Sequence, residues 1–115
     1  MKLKMLVAVP LCAAVLAGCA TVGKDFDSTS LSWLKAGETA KKDVLDRLGE
    51  PFRVGMDSGD QTWTYGYYKY RIIGDSSTKD LVIRYDSSGK VKNFTLNTSF
   101  PEEKRALEPE LKPKP

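Results

Sequence analysis

The apolar positions of this 115-residue chain change their spacing along its length. Met5 to Leu16 form one continuous apolar run behind Lys2 and Lys4. Residues 20–30 (ATVGKDFDSTS) are small and polar with one aromatic, the composition of a tether. Leu31, Trp33 and Leu34, preceded by the capping residues Asp27, Ser28 or Ser30, predict a first short helix that ends at Ala36-Gly37. Ala40, Val44, Leu45 and Leu48 then form a single apolar stripe. Residues 37–51 (GETAKKDVLDRLGEP) therefore predict a second helix, opened at Glu38 or Thr39, closed by Gly49 and stopped by Pro51. Lys41, Lys42, Asp43, Asp46 and Arg47 make up its solvated face.

From Phe52 the period becomes two. Phe52 to Met56 reads as a short edge strand, Asp57 to Asp60 as a turn, and residues 61–73 as a long strand. Trp63, Tyr65 and Tyr67 fall on one face of that strand, with Thr62, Thr64, Tyr68 and Tyr70 on the other. A sheet covered by helices on one side buries the first set. Residues 74–79 form a loop, and residues 80–85 a strand in which Leu81, Ile83 and Tyr85 alternate with Val82 and Arg84. DSSGK, residues 86–90, is a hairpin turn with Gly89 free to take positive φ. The last strand places Phe94 and Leu96 on one face and Val91 on the other, so either Val91 lies in the turn or a bulge shifts the register. Residues 101–115 carry charge and proline with too few apolar positions to pack, and are expected to be mobile.

The first residues have the order of a secretion signal: a basic start, an apolar stretch, then small Ala17-Gly18. A membrane-crossing helix needs roughly 20 apolar residues. Thr21, Gly23, Lys24 and Asp25 arrive too early for that. Leu16-Ala17-Gly18-Cys19 resembles the bacterial lipobox. This implies cleavage between Gly18 and Cys19, with lipid on the Cys19 sulfur and an acyl chain on its new amino group. One fatty chain binds a bilayer reversibly at about 0.8 kcal/mol per buried methylene, whereas two or three on one residue hold it almost permanently. Ala20 follows Cys19 where an aspartate would imply inner-membrane retention, so the resemblance implies the periplasmic face of the outer membrane.

Removal of residues 1–18 leaves 97 residues and lowers Lys plus Arg from 18 to 16 against 15 acids, a net charge of +1. Nothing in that balance indicates a nucleic-acid partner. The chain has no histidine, and of its two cysteines Cys12 leaves with the signal. Cys19 is then the single thiol, claimed by lipid, so no internal disulfide, thiol nucleophile or histidine base is expected. No cofactor, metal or small-molecule substrate is expected, and no enzyme activity. Ser76, Ser77, Ser87 and Ser88 have no base written near them. Asp57, Asp60, Asp75, Asp80 and Asp86 fit turn chemistry, since a calcium loop requires more length and a distant bidentate glutamate.

Gly37-Glu38-Thr39, Asp43-Val44-Leu45, Leu48-Gly49-Glu50-Pro51, Trp63-Thr64-Tyr65, Leu81 to Tyr85 and Asp86 to Val91 occur in an order that resembles the SmpA/OmlA family of small outer-membrane lipoproteins, the BamE-like proteins. The resemblance spans roughly residues 30–97. It implies an α+β fold with two short N-terminal helices packed on one face of a three-stranded antiparallel sheet, four-stranded if Phe52 to Met56 joins. The expected organisation is a signal peptide over 1–18, a lipidated tether over 19–29, one domain over 30–100 and a tail over 101–115. The implied role is support of outer-membrane protein assembly by a small binding module, with the barrel-assembly machinery or another envelope protein as partner. The same order is similar to half of the β-lactamase inhibitor protein, which implies instead an interaction or inhibitor module for a periplasmic enzyme or cell-wall component, a class that includes stress-induced envelope lipoproteins.

Tyr68, Lys69, Tyr70 and Arg71 are the expected partner surface, because aromatic residues and arginine are over-represented at binding hot spots. Ordinary strand propensity also places tyrosines there. Intact mass spectrometry of native protein is expected to give a chain that starts at Cys19 and carries lipid on both its sulfur and its amino group. A free thiol at Cys19, or a retained leader, contradicts the lipobox assignment.

Overall fold

Short backbone links between two parts of the chain set the frame of the domain. The Gly37 N–H donates to Val91 O (2.7 Å), Val91 N–H to Thr39 O (2.8 Å) and Lys41 N–H to Gly89 O (3.2 Å), so residues 37–41 are stitched to the turn at 86–90. The computed structural model describes residues 20–108 and 110; residues 1–19, with Cys19, and residues 109 and 111–115 lie outside the described set. In chain order the elements are β1 (Ala20–Gly23), α1 (Lys41–Leu48), β2 (Arg53–Asp57), β3 (Asp60–Tyr70), β4 (Ser77–Tyr85), β5 (Val91–Thr98) and α2 (Pro101–Leu107). Among the described residues no helix is long and apolar enough to cross a membrane.

The five strands form one antiparallel sheet. β1 and β2 share one edge of β3, β1 opposite Tyr67 to Tyr70 and β2 opposite Asp60 to Thr64. β4 lies along the other edge of β3, and β5 lies outside β4. The β2–β3 turn is two residues long, and Ser58 (φ 52°) and Gly59 (φ 90°) both take positive φ, which matches the twist of the flanking strands. Val91 reaches the core through a bulge: Arg84 pairs with Asn93 but Tyr85 pairs with Val91, leaving Lys92 as the extra residue. That settles the choice between turn and bulge, and Val91 is fully buried.

The core lies between the sheet and α1. Leu34, Val44, Trp63, Tyr65, Leu81, Ile83, Tyr85 and Val91 form it. Trp63 meets Tyr85 edge to face at 4.9 Å, and the Tyr65 hydroxyl donates to Gly49 O (2.8 Å), fixing the end of α1 to β3. Burial pushes the Tyr65 phenol up to about 12. The Tyr85 hydroxyl is also buried and finds no hydrogen-bond partner among the described residues.

The sheet has five strands where three or four were expected, the strand expected over residues 61–73 ends at Tyr70, and three further expectations differ from this arrangement. The first predicted helix is absent, and residues 31–39 run as turns. Thr39 accounts for this: its hydroxyl donates to Trp33 O and accepts the Lys35 N–H, both at 2.9 Å. With Gly37 drawn to Val91, the segment satisfies its backbone against the sheet instead of along a helix axis. α1 is also shorter than residues 37–51, because Ala40 occupies the cap and its N–H donates to Asp43 Oδ2 (3.0 Å). The second difference is at the N-terminus, where residues 20–23 of the expected tether form β1. Gly23 (φ 83°) lies so close to β3 that a Cβ there would sit 2.1 Å from Gly66 O. The third is at the C-terminus, where Pro101 to Leu107 form α2 with Pro101 in the first turn, Glu102 and Glu103 near the start, and Lys104 and Arg105 near the end.

One side chain ties both ends of the domain to the sheet. The Lys79 ammonium on β4 is buried and contacts Asp25 (2.7 Å), Glu103 (2.9 Å) and Phe26 O (2.6 Å). Phe26, Phe100 and Tyr67 surround it at 4.8, 5.5 and 5.7 Å from their ring centroids, and Tyr67 stacks on Phe100 at 5.8 Å. Burial pushes the Lys79 ammonium down, but the Asp25 and Glu103 carboxylates outweigh it and raise it above its ordinary range. Burial pushes the Glu103 carboxyl up, and hydrogen bonds from Ser28, Lys79 and Thr98 outweigh it and hold it low.

A carboxylate held low stabilises the fold above the ordinary glutamate value of 4.5, and that contribution is lost as pH falls through the folded value. Acid below about pH 4.5 is therefore expected to release α2 before the core melts, and Glu103→Gln to flatten that dependence, read by Phe100 and Tyr67 near-ultraviolet signals during acid titration. Lys79→Met, which strands the two carboxylates, is expected to cost about 3 kcal/mol in urea unfolding.

Candidate functional site

The face of the sheet opposite α1 carries Tyr68 and Tyr70, in keeping with strict alternation along β3. Their rings stack at 6.5 Å with 15° between planes, and Phe52 meets Tyr68 edge-on at 6.0 Å. Tyr68 lies directly over Gly66, where an added Cβ would meet the ring at 2.6 Å. Gly66 is thus the bare stretch of strand that lets the ring lie flat. β1 borders the cluster, with Val22 opposite Tyr68 and Ala20 opposite Tyr70. Val22 is 41% exposed, Tyr70 46% and Phe52 47%, so the four form an apolar patch in which Tyr68 is the half-buried member.

The expected four-residue surface is split by the strand. Lys69 and Arg71 point to the other side, where with Asp25, Lys79, Phe100 and Arg105 they line an open groove of about 640 Å³. Tyr68 and Tyr70 therefore do not share a surface with the neighbouring basic pair. Val22 and Phe52 take their place beside the tyrosines. Phe52 follows Pro51 and precedes β2, and no period links it to β3; only the pairing of β1 and β2 on one edge brings Val22 and Phe52 together.

Polar residues elsewhere serve the fold. Asp86 accepts the N–H groups of Ser88 (2.9 Å) and Lys90 (3.0 Å) and the Ser88 hydroxyl (2.6 Å). The Ser88 hydroxyl is the main reason its carboxyl lies below the usual range. Asp60 accepts from Lys92 (3.0 Å) and Arg84 (2.8 Å), which hold it low in that order. Asp57 pairs with Arg84 and Asp80 accepts from Asn97. Ser76 accepts the Arg71 N–H. No group of three His, Cys, Asp or Glu side chains comes together among the described residues. A second open groove of about 590 Å³, between residues 24–33 and α1, includes Lys24, Asp27 and Arg47, with the Arg47 guanidinium already seated on Trp33 at 4.8 Å. The arrangement offers flat aromatic and mixed-charge surfaces.

Compared with known families, residues 23–95 match the model of one described as the outer membrane protein assembly factor BamE domain. The match runs from the end of β1 into β5 and covers α1 and the whole of β2, β3 and β4.

The Gly66 contact generates its own test. Gly66→Ala is expected to lift the Tyr68 ring off the strand and break its stack on Tyr70, at a cost of about 1–2 kcal/mol, read as loss of the tyrosine near-ultraviolet signal with the far-ultraviolet spectrum retained. An unchanged aromatic signal contradicts the packing described.

Proposed function

The chain belongs to the outer membrane protein assembly factor BamE domain family, and from that premise we propose that it is a lipid-anchored, non-enzymatic binding module. It supports outer-membrane protein assembly from the periplasmic face of the outer membrane. The family match over residues 23–95 carries this reading.

Two features of the structure support it, and the proposed anchor adds a consequence. The domain is a small α+β unit whose outer sheet face carries a stacked aromatic patch, the kind of surface that anchors protein contacts. Tyr68 and Tyr70 are held by Gly66 and by each other, so little side-chain freedom is lost when a partner covers them. Lipid on Cys19 confines the module to one membrane surface and raises its effective concentration, so a modest interface suffices. The partner is a component of the barrel-assembly machinery.

The decisive experiment combines Tyr68→Ser with Tyr70→Ser in the full-length protein, followed by cross-linking in intact cells and affinity capture. The double variant is expected to stay folded at a cost of about 1–2 kcal/mol and to lose most capture of barrel-assembly subunits. Undiminished capture removes the outer face from the interface. Failure of the unaltered protein to capture any such subunit overturns the assembly role itself.

A further inference from the structure

We propose that the loop between β3 and β4 seats Ile72 and Ile73 in the surface of the lipid bilayer, so that the domain is held there at two points. This rests on the lipid anchor at Cys19 and adds a second, independent contact.

Ile72 is 73% exposed and Ile73 89%, more than any other large hydrophobic side chain among the described residues. Scattered exposed apolar residues are normal on a soluble protein, but two in succession at a loop tip make a compact apolar point. The loop has a defined shape. The Arg71 N–H donates to Ser76 Oγ at 3.2 Å, closing residues 71–76, and Gly74 takes φ 94° to reverse the chain. Both isoleucines lie on this closed turn.

The occupant follows from where the chain enters the fold. Ala20 is paired with Tyr70, and Cys19 is bonded to Ala20. One peptide link, one interstrand step and two further peptide links separate the acylated residue from Ile72, a span below about 17 Å. Because β1 pairs from Ala20 onward, no slack separates the described fold from the anchor residue. Acyl chains buried in hydrocarbon therefore bring this end of the sheet to the headgroup layer. Tyr70 and Arg71, which flank the tip, combine an apolar stem or ring with a polar end, as side chains at that depth do. With the tip seated, Tyr70 reaches the headgroup layer and the rest of the outer face, around Tyr68 and Phe52, stands beside the membrane.

The test uses full-length lipidated protein in zwitterionic phosphatidylcholine vesicles whose acyl chains carry a spin-label quencher. A fluorophore is placed on Asp75→Cys, next to the tip with both isoleucines kept, and separately on Ser87→Cys in the turn at the opposite end of the sheet. Quenching at position 75 is expected to exceed that at 87 by about threefold or more. Ile72→Ser with Ile73→Ser should lower quenching at 75 by about twofold or more while the protein still floats with the vesicles; quenching at 75 that the double variant leaves unchanged assigns the proximity to the Cys19 anchor alone and overturns the loop contact. Equal quenching at 75 and 87 in floating protein overturns the loop contact and leaves the anchor intact. Protein that does not float overturns both. Quenching at 75 that requires an added assembly subunit assigns the isoleucines to a protein interface and overturns the proposal.

Discussion

A single buried ammonium decides where the two ends of this domain lie. Lys79 projects from β4 into a ring of Phe26, Tyr67 and Phe100, and its charge is met by Asp25 from one end of the chain and Glu103 from the other. Taking such a group from water is costly, and the ion pairs contribute less net stability than their short distances suggest. What they contribute is position. Residues 24–30 offer the core only Phe26, and no buried residue occurs in α2. Once Lys79 is desolvated, only an arrangement with both carboxylates in place satisfies it, and Ser28 and Thr98 add hydrogen bonds to Glu103 that fix the same geometry.

The parts of the fold that were legible in the sequence are those written by burial. Burial alternates along β4, and in β3, where residues 63–66 are all buried, parity still sets the inner face, so Trp63, Tyr65, Leu81, Ile83 and Tyr85 all fall where period two places them. The end of α1 was equally plain, because Gly49 takes φ 77° and Pro51 follows. The missing parts are held by polar contacts, which leave no period. β1 is exposed at all four residues and docks through backbone pairing alone, so ATVG reads as linker. α2 is fixed by one carboxylate on a lysine far away in sequence, and the segment before Thr39 is shaped by a hydroxyl. At the candidate site, the outward direction of Tyr68 and Tyr70 was legible from parity. The same parity puts Lys69 and Arg71 on the other face, a consequence that grouping by neighbouring position overlooks.

In the proposed arrangement the partner surface and the membrane-contacting loop are built on one strand. β3 carries the tyrosines on its outer face, the lysine ring on its inner face through Tyr67, and the isoleucine loop at its end. Gly66 and Gly23 make this possible by letting the Tyr68 ring and the β1 backbone approach closer than any side chain would allow. A domain of this size has little core to spare for a separate binding unit. The proposed partner contact and membrane contact lie on this shared strand, so that one rigid element serves both.

The length of β3 also works as a yardstick. Its eleven residues, at about 3.4 Å each, span roughly 37 Å. In the proposed orientation, with the isoleucine end at the bilayer, the Ser58-Gly59 hairpin is carried to the far side of the domain and the intervening aromatic patch lies in the lower third of that height. Anything that docks on it must come within a few nanometres of the lipid.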